Sequence, residues 1–126
     1  MNEKKTTNHF KKIDERTFDF ALLIIDAYKF LRRNNEYIFS NQILKSGTSI
    51  GANVHEAQAA QSKKDFVSKM TVASKEARET EYWLRLLEKS GYLSTFDQKE
   101  TIFSEASSLR KILTKIVKTS RENISN

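Results

Sequence analysis

The chain has 126 residues and a net charge of +6, with three glycines, no proline and no cysteine. That length supports one domain with a real core and leaves no room for a second. So few turn-forming residues exclude a sheet protein and favour long helices, and without cysteine there is neither a disulfide nor a thiolate metal site.

The N-terminal "MNEKKTTNHFKKIDER" has no apolar stretch after its lysines, so it does not read as a secretory signal. A cytoplasmic location is expected. The first helix is predicted over about residues 13–33. Its apolar residues surround it, and its polar ones centre on a stripe of Asp19, Asp26 and Arg33. A helix wet mainly on one stripe is covered elsewhere, more than a single four-helix bundle achieves, which points to an oligomer. Its apolar run "FALLIIDAYKFL" is broken by Asp26 and Lys29 and is too short to span a bilayer. No membrane partner is expected.

The second helix is predicted over about residues 40–61, capped by Ser40 or Asn41. It contains "SGTSIGANVHEA", with Gly47 and Gly51 four residues apart. A phosphate loop would end in Gly-Lys-Ser/Thr, which is absent here. Mid-helix glycine costs roughly 1 kcal/mol against alanine, so close helix approach is the expected return. That contact could lie inside the bundle or between subunits.

The third helix, about residues 63–90, opens on "SKKD", a capping box with Asp65 in place of the usual Glu. Its apolar seam is Phe66, Met70, Ala73, Ala77, Thr80, Leu84 and Leu87, in steps of four and three. Gly91 is placed to end it in the left-handed conformation. "STFD" at 94–97 repeats the capping pattern ahead of a fourth helix, about residues 95–120, with seam Ile102, Ala106, Leu109, Leu113 and Ile116. Short connections make neighbours antiparallel. The expected fold class is all-α, an antiparallel up-down four-helix bundle assembling into a ring-like homo-oligomer. The first ten or so residues and the last five are expected to fray.

No catalytic, metal or cofactor site emerges. The only histidines, His9 and His55, lack the Glu-x-x-His spacing of di-iron bundles. They also lack the second His of a zinc protease and the Arg-x4-His of helical ribonucleases. If the turn between the second and third helices centres on Gln61 and Ser62, Lys45 faces Arg78 and Glu79, and Ser46 faces Ala77. Lys45 and Glu79 are then expected to pair. This polar set fixes helix register or lines a ligand pocket.

Residues 44–93, "LKSGTSIGANVHEAQAAQSKKDFVSKMTVASKEARETEYWLRLLEKSGYL", resemble the four-helix bundle family encoded in intervening sequences of bacterial 23S ribosomal RNA genes. That family is in turn similar to the accessory variability determinant of diversity-generating retroelements. Lys45, Ser46, Ser49, Ile50, Asn53, Val54 and Glu56 match the first part of the pattern. Ser62, Asp65 and Phe66 match the second, and Ala73, Glu79, Gly91, Tyr92 and Leu93 the third; "RETEYWL", which contains Arg78, is another form of it. Lys45 stands where the pattern has Arg, and Ala57 where it has Gly or Ser. The resemblance implies a homopentamer with no known enzyme activity. Its retroelement relatives suggest a reverse transcriptase as protein partner.

Three functions compete. The chain is an oligomeric nucleic-acid-binding or adaptor protein, a structural module for another protein, or an enzyme. The last lacks any visible nucleophile, metal set or phosphate loop. For the first, the positive charge favours RNA or DNA. The candidate surface is the fourth helix, which has five basic residues and no acidic one between Ala106 and Arg121. Lys111, Lys115 and Lys118 share one sector, and Arg110 and Arg121 another. The competing reading of that face is plain solvation.

Overall fold

The computed structural model describes residues 12–125. Four helices follow in chain order, α1 (Ile13–Arg33), α2 (Phe39–Ala57), α3 (Lys63–Lys89) and α4 (Lys99–Ser125), with no strand among the described residues. Each packs on the next, and α4 returns to α1 along a thinner seam, so α1 and α3 occupy opposite corners. Neighbours are antiparallel: Gly51 meets Thr17 while Gly47 meets Ile24, and Arg110 meets Glu81 while Arg121 reaches Thr71.

The apolar spacing of each helix becomes one shared core. Phe20, Ile24, Ala27 and Leu31 of α1 are buried against Ile43, Ile50 and Val54 of α2 and the seams of α3 and α4. The α3 seam is as expected except at its first position, where Val67 is buried and Phe66 half-buried. The α4 seam differs at its last position in the same way, with Val117 buried and Ile116 half-buried. Real helices turn at 3.6 residues, so a strict 3.5-residue seam drifts off the core toward its ends.

The glycine question is resolved inside the bundle. A Cβ on Gly51 would lie 3.1 Å from the Thr17 carbonyl oxygen, and one on Gly47 would lie 2.6 Å from Ile24 Cγ1. Both glycines therefore serve the α1–α2 approach within one chain.

The joints explain where sequence reading slipped. At the end of α1, Asn35 takes φ 65°, and the Asn35 and Glu36 amides return to the Arg32 and Leu31 carbonyls. The α2 cap is neither Ser40 nor Asn41. The buried Glu36 carboxylate accepts from the amides of Ile38, Phe39 and Ser40, at 3.2, 3.1 and 2.6 Å. A four-residue reach from a glutamate lies outside the usual short-side-chain cap pattern. Glu36→Ala strands three donors at once and should cost about 2 kcal/mol, above a typical single cap. Chemical denaturation of both proteins at neutral pH checks it.

The α2 helix ends at Ala57, four residues before the expected end, and a short connection carries the chain to Ser62. Ser62 does cap α3: its hydroxyl accepts from the Asp65 amide at 3.0 Å, and the Asp65 carboxylate accepts from the Gln61 amide. The connection shifts the expected register. Ser46 meets Thr80, hydroxyl to hydroxyl at 2.9 Å, rather than Ala77.

No ion pair joins Lys45 and Glu79 among the described residues, so that expectation is corrected. Glu79 instead accepts the indole N–H of Trp83, one turn along its own helix, at 3.0 Å.

Gly91 ends α3 with φ 86°, as expected. "STFD" does not start α4. Leu93 and Phe96 are buried, the Phe96 ring lies 5.2 Å from that of Phe30, and the helix begins at Lys99. The Ser94 hydroxyl donates to the Gly91 carbonyl. Burying Leu93 and Phe96 plugs the bundle end and postpones the helix. At its other end α4 continues to Ser125, past the expected stop near 120. The expected N-terminal fraying concerns residues outside those described.

Candidate nucleic-acid interface

The α4 cations separate once the helix is packed. Lys111, Lys115 and Lys118 are exposed. Arg110 is half-buried and forms an ion pair with Glu81 of α3, which neutralises it. Arg121 turns toward α3, its guanidinium 3.4 Å from the Thr71 hydroxyl. The two arginines thus share a sector but not a role.

Arg121 and Lys118 form one wall of a groove between α3 and α4, of about 550 Å³. Lys75 and Arg78 form the other wall, and Thr71, Ser74 and Thr114 add hydroxyls. Glu122 is its one acidic residue. Four cations around an open groove suit a polyanion, because ammonium and guanidinium groups donate to phosphate oxygens, whereas the Thr71 and Thr114 hydroxyls already donate to the Val67 and Arg110 carbonyls.

On α3 the cations belong to a longer row. Lys64, Ser68, Thr71, Lys75, Arg78, Tyr82, Arg85 and Lys89 follow at steps of four and three. Such a row keeps to one face of a helix, and every member is exposed except the half-buried Thr71. It holds five basic residues and no acidic one. No ion pair involves Lys64, Lys75, Arg78, Arg85 or Lys89 among the described residues. Sequence reading placed Arg78 in the register-fixing set and missed the row. The signal was present, since the polar steps from Lys64 to Lys89 repeat the rhythm of the α3 apolar seam.

The remaining motif residues lie elsewhere. Ser46 and Gly47 are buried, and Gly51 is half-buried at the α1 contact. The Asn53 amide donates to the Ser49 carbonyl and lies 3.1 Å from its hydroxyl. Lys45, Glu56 and Glu79 are exposed. Half-buried Glu76 has its pKa raised above the ordinary glutamate value, first by burial and then by the charge of Glu79; Lys45 and Lys75 oppose the rise. The motif therefore mixes packing positions with an exposed polar strip.

The opposite flank of α4 has the other sign. A cleft of about 620 Å³ between α1 and α4 carries Asp19, Asp26, Glu100 and Glu105 over Phe20 and Leu23. Its Arg16 is committed to Glu105 at 2.8 Å and donates to the Ser108 hydroxyl at 3.0 Å. The excess positive charge is thus segregated to the α3–α4 side. Among the described residues no group of three or more His, Asp or Glu is placed to hold a metal ion. No helix there is long and apolar enough to cross a membrane.

The sequence pattern of the 23S rRNA-intervening sequence proteins matches residues 11–115. The chain belongs to that family. It is also similar to a crystal structure from Bacteroides thetaiotaomicron VPI-5482, a protein of unknown function from the S23 ribosomal protein family. The two are 45% identical, with a TM-score of 0.79, over 85% of this chain and 99% of the other. No curated protein matches the chain. The likeness to that crystal structure supports the fold, and the fifty-residue stretch read from the sequence lies within the matched region.

Proposed function

We propose that the chain is a non-enzymatic, homo-oligomeric protein of the cytoplasm that binds nucleic acid and serves as an adaptor. The observation that carries the reading is the α3–α4 groove, where Lys75, Arg78, Lys118 and Arg121 converge from two helices. A solvated face needs no such convergence. The polyanion is RNA or DNA, held through its phosphates.

Assembly is supported by α1. Phe18 and Leu22 are 64% and 50% exposed on one face, with half-buried Ile25 continuing the stripe. Ile38 at the α1–α2 joint is 70% exposed, and Val72 and Leu86 are exposed at separate points of α3, about 21 Å apart along its axis. An exposed apolar stripe like that of α1 suits a subunit contact, and a head-to-tail contact gives a ring where successive rotations close. The family resemblance supplies five as the number of subunits. A ring repeats each cationic groove, so weak phosphate contacts add by avidity. The likeness to the retroelement accessory determinant points to a reverse transcriptase as the protein being adapted.

Light scattering at micromolar concentration should give several times the chain mass. A value of 14.6 kDa, that of one chain, ends the oligomer reading. Labelled RNA and duplex DNA, titrated across a salt series, test the ligand. Affinity should fall linearly on a log–log scale as salt rises. Absence of binding to either at low salt ends the nucleic-acid reading.

A further inference from the structure

Within the nucleic-acid reading, on which this inference rests, the α3 row holds one member that phosphate binding does not explain. Tyr82 stands between Arg78 and Arg85 and is 54% exposed. A tyrosine spread on the surface gains little from packing, and a phosphate-tracking row has no use for a ring.

Its neighbour Trp83 shows what a structural aromatic does here. Trp83 is half-buried, places its ring 5.9 Å from that of Phe39, and donates its N–H to Glu79. Among the described residues Tyr82 makes one ring contact, with Trp83 at 5.2 Å and 70° between planes. A near-perpendicular pair leaves at least one face of Tyr82 uncovered by Trp83.

We propose that Tyr82 is a base-stacking platform and that the α3 row binds single-stranded nucleic acid. Arg78 lies four residues before the ring and Arg85 three after, so the guanidinium stems start about 6 Å and about 4.5 Å along the axis on either side. A base lying on the ring then has a cation for the phosphate on each side of it. Duplex bases are already stacked on one another and cannot offer a face to a ring outside the helix. Splayed single-strand bases can, and the interaction tolerates any sequence because every base has a π-face. Stacking does not separate RNA from DNA, so both belong in the test.

The experiment uses the full chain in its native assembly, with fluorescent oligo(U), oligo(dT) and a mixed-sequence duplex of equal length. The unmodified protein should bind both single strands more tightly than the duplex. Tyr82→Ala should weaken single-strand binding about tenfold or more. Its salt slope, duplex affinity and assembly mass should stay as in the unmodified protein. Tyr82→Phe keeps the ring and should keep single-strand affinity within about twofold.

Equal weakening of single strand and duplex by Tyr82→Ala overturns the proposal. So does no weakening at all, or loss of the assembled mass, which would make Tyr82 a subunit contact. Salt-dependent binding indifferent to Tyr82 removes the platform alone. No binding by the unmodified protein removes the parent reading.

Discussion

Gly51→Leu should lower the melting temperature by up to about 10 °C, followed by far-ultraviolet circular dichroism. The first added carbon already meets Thr17 backbone, 3.1 Å from the carbonyl oxygen and 3.3 Å from its carbon. Backbone cannot rotate aside as a side chain can. The remaining three carbons must enter the same seam, so α1 and α2 have to separate. Overpacking of this kind typically costs about 1–3 kcal/mol. Helix propensity works the other way by roughly 1 kcal/mol, because leucine outranks glycine. Gly51→Ala should therefore fall close to neutral while the leucine variant is clearly destabilised. An unchanged melt for the leucine variant would show that the approach at Gly51 is looser than 3.1 Å implies.

The second large effect concerns the groove. Lys75→Gln, Arg78→Gln and Lys118→Gln together should make the salt dependence of nucleic-acid binding shallower by about two to three. Near 0.1 M salt the affinity should drop on the order of a hundredfold, since each phosphate contact contributes about 0.7–0.9 of a decade per tenfold change in salt. Stability should hardly move. Lys75, Arg78 and Lys118 are exposed and none of them forms an ion pair among the described residues. Arg110→Gln is the internal control. It removes a charge from the same helix, but one already spent on Glu81, so it should alter stability more than binding. If the triple change leaves slope and affinity alone, the groove is not the binding surface. This signature differs from that of Tyr82→Ala, which should lower affinity at constant slope.

Much of the architecture was readable because it depends on neighbours along the chain. Ser62 caps α3 through Asp65, and Gly91 ends it. These are contacts within one turn, and residue type alone encodes them. The α3 seam follows from a period that every helix shares. Glu36 was missed because its carboxylate reaches across a joint whose shape depends on the Asn35 conformation. The start of α4 was missed because a local pattern, Ser94 to Asp97, competed with core burial of Leu93 and Phe96, and burial won.

The candidate site divides along the same line. By itself the sequence determined the four helices, the close approach at Gly47 and Gly51, and the excess of positive charge, all of which rest on composition, period or short-range spacing. The family was legible only through the resemblance of residues 44–93. Only the tertiary structure decided which charges act together. It withdrew Arg110 to Glu81, turned Arg121 toward Thr71, left Glu79 with Trp83 in place of Lys45, and brought Lys75 and Arg78 opposite Lys118. The reason is physical. Electrostatic partnership depends on distances of a few ångströms between side chains of different helices, and those distances follow from interhelix register. The five residues between Ala57 and Lys63 set that register for α2 and α3, and the plug at Leu93 and Phe96 set it for α3 and α4.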